Sequence, residues 1–309
     1  MAKHIKALLA EENPESEYVS FEFYPPRTEK GEEELMSTVV PAFATQSPIF
    51  FDVTWGAGGK TSDTTMRLCK ELQEKYPDTP VNMHITCTNM PKGLIKEGLD
   101  FAKANHITNI VALRGDPPAG ETYQANPDGF QCALDLIKYI REQYGDYFCI
   151  SAAGYPEGHP ARLPEKGRID PEAYREELAY LKQKVDAGAD LIITQLFYDA
   201  DIFIHFVKEC RAIGITVPIL PGLLPVTSYP SLTRMVELCK TYLPPDMQAT
   251  LEELKEKPEE LKAYGVRQVV ELIRQIKAAN IGCNHYHFYT INTTKQTFGA
   301  LKEMGILKE

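Results

Sequence analysis

Short apolar runs rich in β-branched and aromatic residues alternate along this chain with longer stretches of helical period. The runs are "YVSFEFYPP", "FFDVTWG", "VNMHITCT", "NIVALRGD", "FCISAAGYP", "DLIITQLFY", "VPILPGLLP" and "CNHYHFYTIN". Between them lie segments such as "TSDTTMRLCKELQEKY", "GFQCALDLIKYIREQYG" and "EAYREELAYLKQKVDAG". Their leucines and isoleucines recur at three- and four-residue steps, the spacing of one helix face. The last of these ends at Gly188, a C-cap signal just ahead of a strand. Eight strands, each followed by a helix, predict a (β/α)8 TIM barrel, read as a single α/β domain over residues 1–309. A doubly wound open sheet competes, but no GxGxxG follows the first strand. The opening "MAKHIKALLAEENPESE" reads as a short amphipathic helix. It lacks the apolar core and cleavage site of an export signal. Residues 247–265, rich in acids and lysines, read as a solvated helical insertion.

A barrel of this kind collects function where strands end. The strand ends here carry Glu22, then Thr54-Trp55-Gly56, His84, Arg114-Gly115-Asp116, Tyr155 with His159, Gln195, and His287 with Tyr289. Glu22 raises the sharpest question. Side chains alternate along a strand, so Phe21 and Phe23 face one way and Ser20 and Glu22 the other. Either the second face is water, or Glu22 lies inside the barrel, where desolvation raises a carboxyl pKa toward that of a proton donor near neutral pH. "ALRGDPP" places Arg114 and Asp116 two apart on one strand face, a pair that is as often structural as functional. "WGAGGKTSDTT" is a Gly-rich turn opening a helix with Thr61 or Ser62 as N-cap; without a Walker lysine pattern it is a weak phosphate signal. In "HYHFY", His285 and His287 point the same way and invite a metal reading. Metal-dependent hydrolases on this fold carry such a pair on the first strand, however, and no metal is expected.

Composition narrows the partners. The net charge of −10 and the pI near 5.3 argue against nucleic acid, whose phosphates require a basic face. No apolar run approaches the roughly 20 residues that span a bilayer, so no membrane partner is expected. Seven scattered cysteines without a CxxC fit free thiols in a reducing compartment, and a cytoplasmic location is the default.

Taken together, "FEFYPPRTEKGEEEL", "DVTWGAGG", "HITC", "NIVALRGDPP", "GYPEGHP", "KVDAGADLIITQLFYD", "PILPGLLP" and "HFYTIN" closely resemble the methylenetetrahydrofolate reductase family, in family order from about residue 18 to 292. The resemblance implies a barrel holding FAD, reduced by NADH or NADPH in a ping-pong cycle. The reduced flavin then converts 5,10-methylenetetrahydrofolate to 5-methyltetrahydrofolate. It implies that Glu22 is the acid that protonates the bridge nitrogen of the folate, and that Asp116 favours the resulting cation. Gln195, Tyr229 and Tyr289 are implied folate or nicotinamide contacts. Implied flavin contacts are Thr54, Trp55, Ala57, His84, Arg114, Gly115, Asp116, Ala133, Tyr155, His159 and Lys184, with Glu177 where the family has an aspartate. This chain departs from the family pattern at Thr293, where many members have Arg reaching toward the folate tail, and at Cys132, where a tyrosine is common. The eukaryotic family's C-terminal regulatory domain is not expected within these residues, and a homo-oligomer is. A metal-dependent hydrolase and a non-catalytic folate- or flavin-binding barrel are the rival functions.

Overall fold

The computed structural model describes residues 3–55, 62–116, 123–164 and 167–308. Nine strands form one sheet: β1 (Tyr18–Phe23), β2 (Phe51–Val53), β3 (Val81–Thr86), β4 (Asn109–Leu113), β5 (Cys149–Gly154), β6 (Leu191–Thr194), β7 (Ile219–Leu220), β8 (Gly222–Leu223) and β9 (His285–Tyr289). Every pairing is parallel, in the order β7-β6-β5-β4-β3-β2-β1-β9-β8. β7 and β8 are two halves of one stave divided by Pro221. A proline has no N–H to give a ladder, so the strand breaks there. One half pairs with β6 and the other with β9, and the Pro221 carbonyl accepts from the His287 amide at 3.1 Å. The sheet thereby rolls into a nearly closed (β/α)8 barrel, and the eight runs read from the sequence are its eight staves.

The helices are α1 (Ile5–Ala10), α2 (Glu29–Glu34), α3 (Val40–Ala44), α4 (Ser62–Lys75), α5 (Lys92–Ala104), α6 (Ala133–Tyr144), α7 (Pro171–Asp186), α8 (Ala200–Ala212), α9 (Tyr229–Cys239), α10 (Pro245–Leu254), α11 (Pro258–Ala278) and α12 (Lys295–Met304). A π-helical turn, Leu35–Val39, joins α2 to α3. The outward residues of β1 settle the alternation question: Phe21 and Phe23 are buried against Phe43 of α3, with ring centroids 4.5 and 5.5 Å apart. Ser20 and Glu22 therefore face the barrel interior. At its N-terminal end, the barrel is plugged by α1. Ile5 is fully buried with Phe50, Cys149 and Leu191, its amide bonds Asn109 Oδ1 at 2.8 Å, and Lys6 pairs with Asp190 at 2.8 Å.

Two expectations need correction. Residues 247–265 are not a solvated helix: they form most of α10 and the first part of α11. Their acids and lysines cover an outer face, while Met247, Leu251 and Leu261 are buried with Leu196, Leu224 and Val226. Arg114 and Asp116 do not share a strand face either. β4 ends at Leu113, and Gly115 adopts φ of +82°, turning the chain where a side chain would also clash with Thr86 and Thr88. Ser62 is the first helical residue of α4, and Thr61 lies outside the described residues. All seven cysteines are free, as expected. Among the described residues no helix is long and apolar enough to cross a membrane.

Candidate active site

Inward side chains of β1, β2, β3 and β9 meet at the C-terminal end of the barrel. The register sets Tyr289, Glu22 and Asp52 in one cross-strand layer, and His84 stands two residues past the partner of Asp52. His84 Nε2 lies 3.3 Å from Asp52 Oδ2 and 3.5 Å from Glu22 Oε2. Burial alone would lower the pKa of His84, but the hydrogen bond to Asp52 and the charges of Glu22 and Asp52 outweigh it and raise it. His287 Nε2 also faces both carboxylates, 3.8 Å from Glu22 and 3.6 Å from Asp52. The Asp52 side chain is 1% exposed and that of Glu22 is 18% exposed, so the first is structural ground and the second reaches the cavity. Glu22, Asp52 and His84 present ligand atoms within 4.8 Å of one another, a spacing that would admit a cation. The raised pKa of His84 favours its cationic form, which would offset one of the two carboxylates.

Above this cluster opens a cavity of ≈ 530 Å³. Glu22, Thr54, Trp55, His84, Arg114, Gly115, Asp116, Tyr155, His159, Gln195 and Tyr289 all line it, so strand-end positions chosen from sequence converge on one space. Trp55 Nε1 and Thr86 Oγ1, on residues of this wall, are buried without a hydrogen-bond partner among the described residues. Arg114 stacks on the Tyr123 ring at 4.4 Å and donates to the Gly115 carbonyl, with no carboxylate paired to it among the described residues. A smaller cleft of ≈ 30 Å³ shares Tyr155 and His159 and adds Glu177 and Lys184. Lys184, on α7, is 4% exposed and donates to the Ala153 carbonyl at 2.7 Å. Desolvation pushes its pKa down to about 8, against a smaller upward pull from Glu177. Burial, helped by the charges of Arg114 and Lys184, holds His159 down at about 4, so its imidazole is neutral. Its Nδ1 accepts the Ala161 amide at 3.1 Å, which leaves the proton on Nε2.

Gln195 Oε1 caps the Leu196 amide at 2.9 Å, and Tyr289 donates to the Thr194 carbonyl at 2.5 Å. Ala133 is the first residue of α6 and is buried. Glu177 accepts from Arg162. Tyr229 stands apart: it opens α9, bonds the Glu252 carboxylate, and does not line the described cavity. Met235, Leu238 and Cys239 of the same helix do. Thr293 is exposed beyond β9, its hydroxyl on the Thr290 carbonyl. Ala57 and the Gly-rich turn around it lie outside the described residues. Sequence reading missed Asp52, although an acid inside "FFDVTWG" is the same signal as Glu22 inside "SFEFYPP". The His285 and His287 pair is held by protein groups: Ser20 Oγ lies between them, 2.9 Å from His285 Nε2 and 2.8 Å from His287 Nδ1, and Glu12 takes the other nitrogen of His285.

The family model for methylenetetrahydrofolate reductase matches residues 6–305. A rice protein named "Probable methylenetetrahydrofolate reductase (NADH)" is 47% identical over 94% of this chain and 48% of its own length. A Caenorhabditis elegans protein named "Probable methylenetetrahydrofolate reductase (NADPH)" is 35% identical over 94% of this chain and 43% of its own. The chain thus spans about half the length of these relatives. A 5,10-methylenetetrahydrofolate reductase of Pectobacterium carotovorum is 32% identical over 93% of this chain and 90% of its own. Among solved structures, a Clostridium thermocellum protein described as binding two copies of 5-methyl-5,6,7,8-tetrahydrofolic acid superposes with a TM-score of 0.66 at 14% identity, over 98% of this chain and 97% of its own, which supports the fold. A family match across nearly every described element, with the family's motifs converging on one cavity, shows that the chain belongs to the methylenetetrahydrofolate reductase family.

Proposed function

We propose that this protein reduces 5,10-methylenetetrahydrofolate to 5-methyltetrahydrofolate with electrons from NADH or NADPH, passed in a ping-pong cycle through bound FAD. The observation that carries the reading is the position of Glu22, an interior acid at the floor of the cavity beside His84 and Asp52. The residues present fit a flavin dinucleotide. Donors at Trp55 and Thr86 without a partner among the described residues suit a heteroatom-rich ring, and the cations Arg114 and Lys184, with no carboxylate pair among those residues, suit phosphates. When bound, FAD supplies the chemistry of taking a hydride from a reduced nicotinamide and giving one to the folate's one-carbon unit.

The protein's part is binding, orientation and proton delivery. Glu22 donates a proton to the bridge nitrogen of the folate, and the five-membered ring opens to an iminium cation. His84, hydrogen-bonded to Asp52, lies against Glu22 and positions it. The Asp116 carboxylate, across the cavity, favours that cation by preorganised charge. Gln195 and Tyr289 line the space a pterin would fill. His159, neutral at working pH, adds no charge beside the two cations.

Glu22→Gln separates the two halves of the cycle. It keeps size and hydrogen-bonding reach but removes the transferable proton. Stopped-flow absorbance should show reduction by NAD(P)H changed less than about tenfold, and reoxidation by methylenetetrahydrofolate slowed by the ~100- to 10,000-fold typical of a lost general acid. Equal slowing of both halves would make Glu22 a structural support. A colourless preparation that cannot be loaded with FAD and carries stoichiometric zinc would point instead to a hydrolase using the Glu22, Asp52 and His84 cluster.

A further inference from the structure

The reaction consumes one proton per turnover: the methylene bridge gains a hydride and the opened nitrogen gains H⁺. Glu22 must therefore be reloaded each cycle, and behind it lies a chain of hydrogen bonds through the barrel. His287 Nε2, fully buried and without a hydrogen-bond partner among the described residues, faces the Glu22 and Asp52 carboxylates. On the far side of the ring, Nδ1 is 2.8 Å from Ser20 Oγ. Ser20 Oγ is 2.9 Å from His285 Nε2, and His285 Nδ1 is 2.7 Å from Glu12 Oε1. Glu12 lies in the segment before β1, at the floor of the barrel, and its side chain is 7% exposed. The link from His287 to Glu22, at 3.8 Å, exceeds a hydrogen bond, so that contact must close when a proton crosses it.

We propose that Ser20, His285 and Glu12 form, with His287, a buried relay that reloads Glu22 from the floor of the barrel; this rests on the reading of Glu22 as the acid. Every member both gives and takes a proton, so the chain has two polarities. In the loading state, Glu12 is protonated and donates to His285 Nδ1. His285 Nε2–H donates to Ser20, Ser20 O–H donates to His287 Nδ1, and His287 Nε2–H faces the Glu22 carboxylate. One shift along the chain breaks each of those bonds to hydrogen and remakes it on the next atom. Glu22 ends protonated, Glu12 ends as the carboxylate and both imidazoles end in the opposite tautomer. Before the next passage the two rings turn over to restore the starting polarity, and Glu12 takes up a proton from water. Ser20, His285 and His287 all stay neutral on the way, which suits a segment this dry: Ser20 and His287 are fully buried and His285 is 2% exposed. The burial that holds His285 below its usual pKa keeps it in the neutral form this passage uses, against the upward pull of Glu12.

The surroundings leave few rival partners. His285 and His287 stack against Phe50 at 5.6 and 5.7 Å, and Tyr289 meets His287 edge-on at 5.3 Å. The titratable groups that face the relay are Glu12 and Cys283 at its outer end, and Asp52, His84, Glu22 and Tyr289 at its inner end. The route matters when the cavity is filled: a ligand over Glu22 blocks water from above, whereas Glu12, its side chain 7% exposed, lies at the opposite end of the barrel.

The holoenzyme tests this with Glu12→Gln, which keeps the hydrogen bond to His285 but cannot pass a proton, and with Ser20→Ala, which cuts the middle. In single-turnover stopped flow, the reduced enzyme starts with Glu22 loaded, and reoxidation by methylenetetrahydrofolate should stay within about twofold of wild type in Glu12→Gln. Steady-state turnover should fall about tenfold or more, short of the cost of losing the acid itself. Its solvent deuterium isotope effect should rise, and added imidazole, a small diffusible acid, should restore rate. Unchanged steady-state turnover in both variants would overturn the proposal and leave the cavity mouth as the proton source. Slowing of the single turnover with a lowered melting temperature and no imidazole rescue would also overturn it, making Glu12 a packing residue. A Glu22→Gln enzyme with a normal single turnover would instead remove the acid reading beneath it.

Discussion

Lys184 is a cation held out of water with a carbonyl as its hydrogen-bond partner, and that makes its charge conditional. Its pKa near 8 lies below the ordinary 10.5, so the unfolded chain binds a proton between those values that the folded chain does not. From this group, then, the stability of the FAD-free protein rises as pH climbs from about 8 to 10.5. In the proposed FAD site, pyrophosphate binding would require the ammonium form and would therefore run the other way. FAD affinity should be level below pH 8 and then weaken by about tenfold per pH unit, the slope for uptake of one proton. Titration of FAD by fluorescence at pH 7 and pH 10 measures this, and Lys184→Gln should bind more weakly at pH 7 and lose the slope. At this scale the sequence was partly legible. Glu22 was found because a lone acid in an apolar strand is conspicuous. Asp52 makes the same statement one strand over, but the adjoining Gly-rich turn drew attention away from it. No local pattern could have paired Glu12 with His285, because 273 residues separate them and only barrel closure brings them together.

At the scale of elements, the barrel depends on a few places where backbones approach too closely for any side chain. A Cβ on Gly222 would stand 2.1 Å from the Thr194 carbonyl oxygen and 2.5 Å from the Tyr289 hydroxyl. β8 can thus be drawn between β6 and β9 because this position is bare. Gly222→Ala should destabilise by ~1–3 kcal/mol or more, as overpacking does, and should weaken folate binding by displacing Tyr289. Gly93→Ala, in α5 with nothing within 4 Å of the added carbon, should be neutral or stabilise by up to about 1 kcal/mol. Urea unfolding of both variants checks the contrast. The existence and order of strands and helices were readable because β and helical periods differ so clearly along this chain. Two element readings failed for identifiable reasons. In 247–265 the charged outer face outnumbered the apolar positions, so a packed pair of helices looked solvated. At Arg114–Asp116, strand alternation was extended across a glycine that ends it.

For the molecule as a whole, the two ends of the barrel do different work: the C-terminal end opens into the cavity and the N-terminal end is sealed by α1. Ile5→Ala would leave a void among Phe50, Cys149 and Leu191, and should cost ~2–5 kcal/mol in urea unfolding. Because none of those residues lines the cavity, flavin content and the rate of reduction by nicotinamide should change little in the protein that remains folded. The ring itself joins the first strand to the last: Tyr18 pairs with His285 and Ser20 with His287. That pairing has a consequence for biosynthesis. A chain emerging from the ribosome N-terminus first presents β1 with one edge waiting for a partner more than 260 residues downstream. The layer that contains Glu22 and Tyr289, and the hydrogen bonds from Glu12 to His287, cannot exist until β9 has been made and docked. Such distant contacts are slow to form and leave an open strand edge in the meantime. Chaperone demand during synthesis should therefore end, and activity begin, in the same final event: the docking of the last stave against the first.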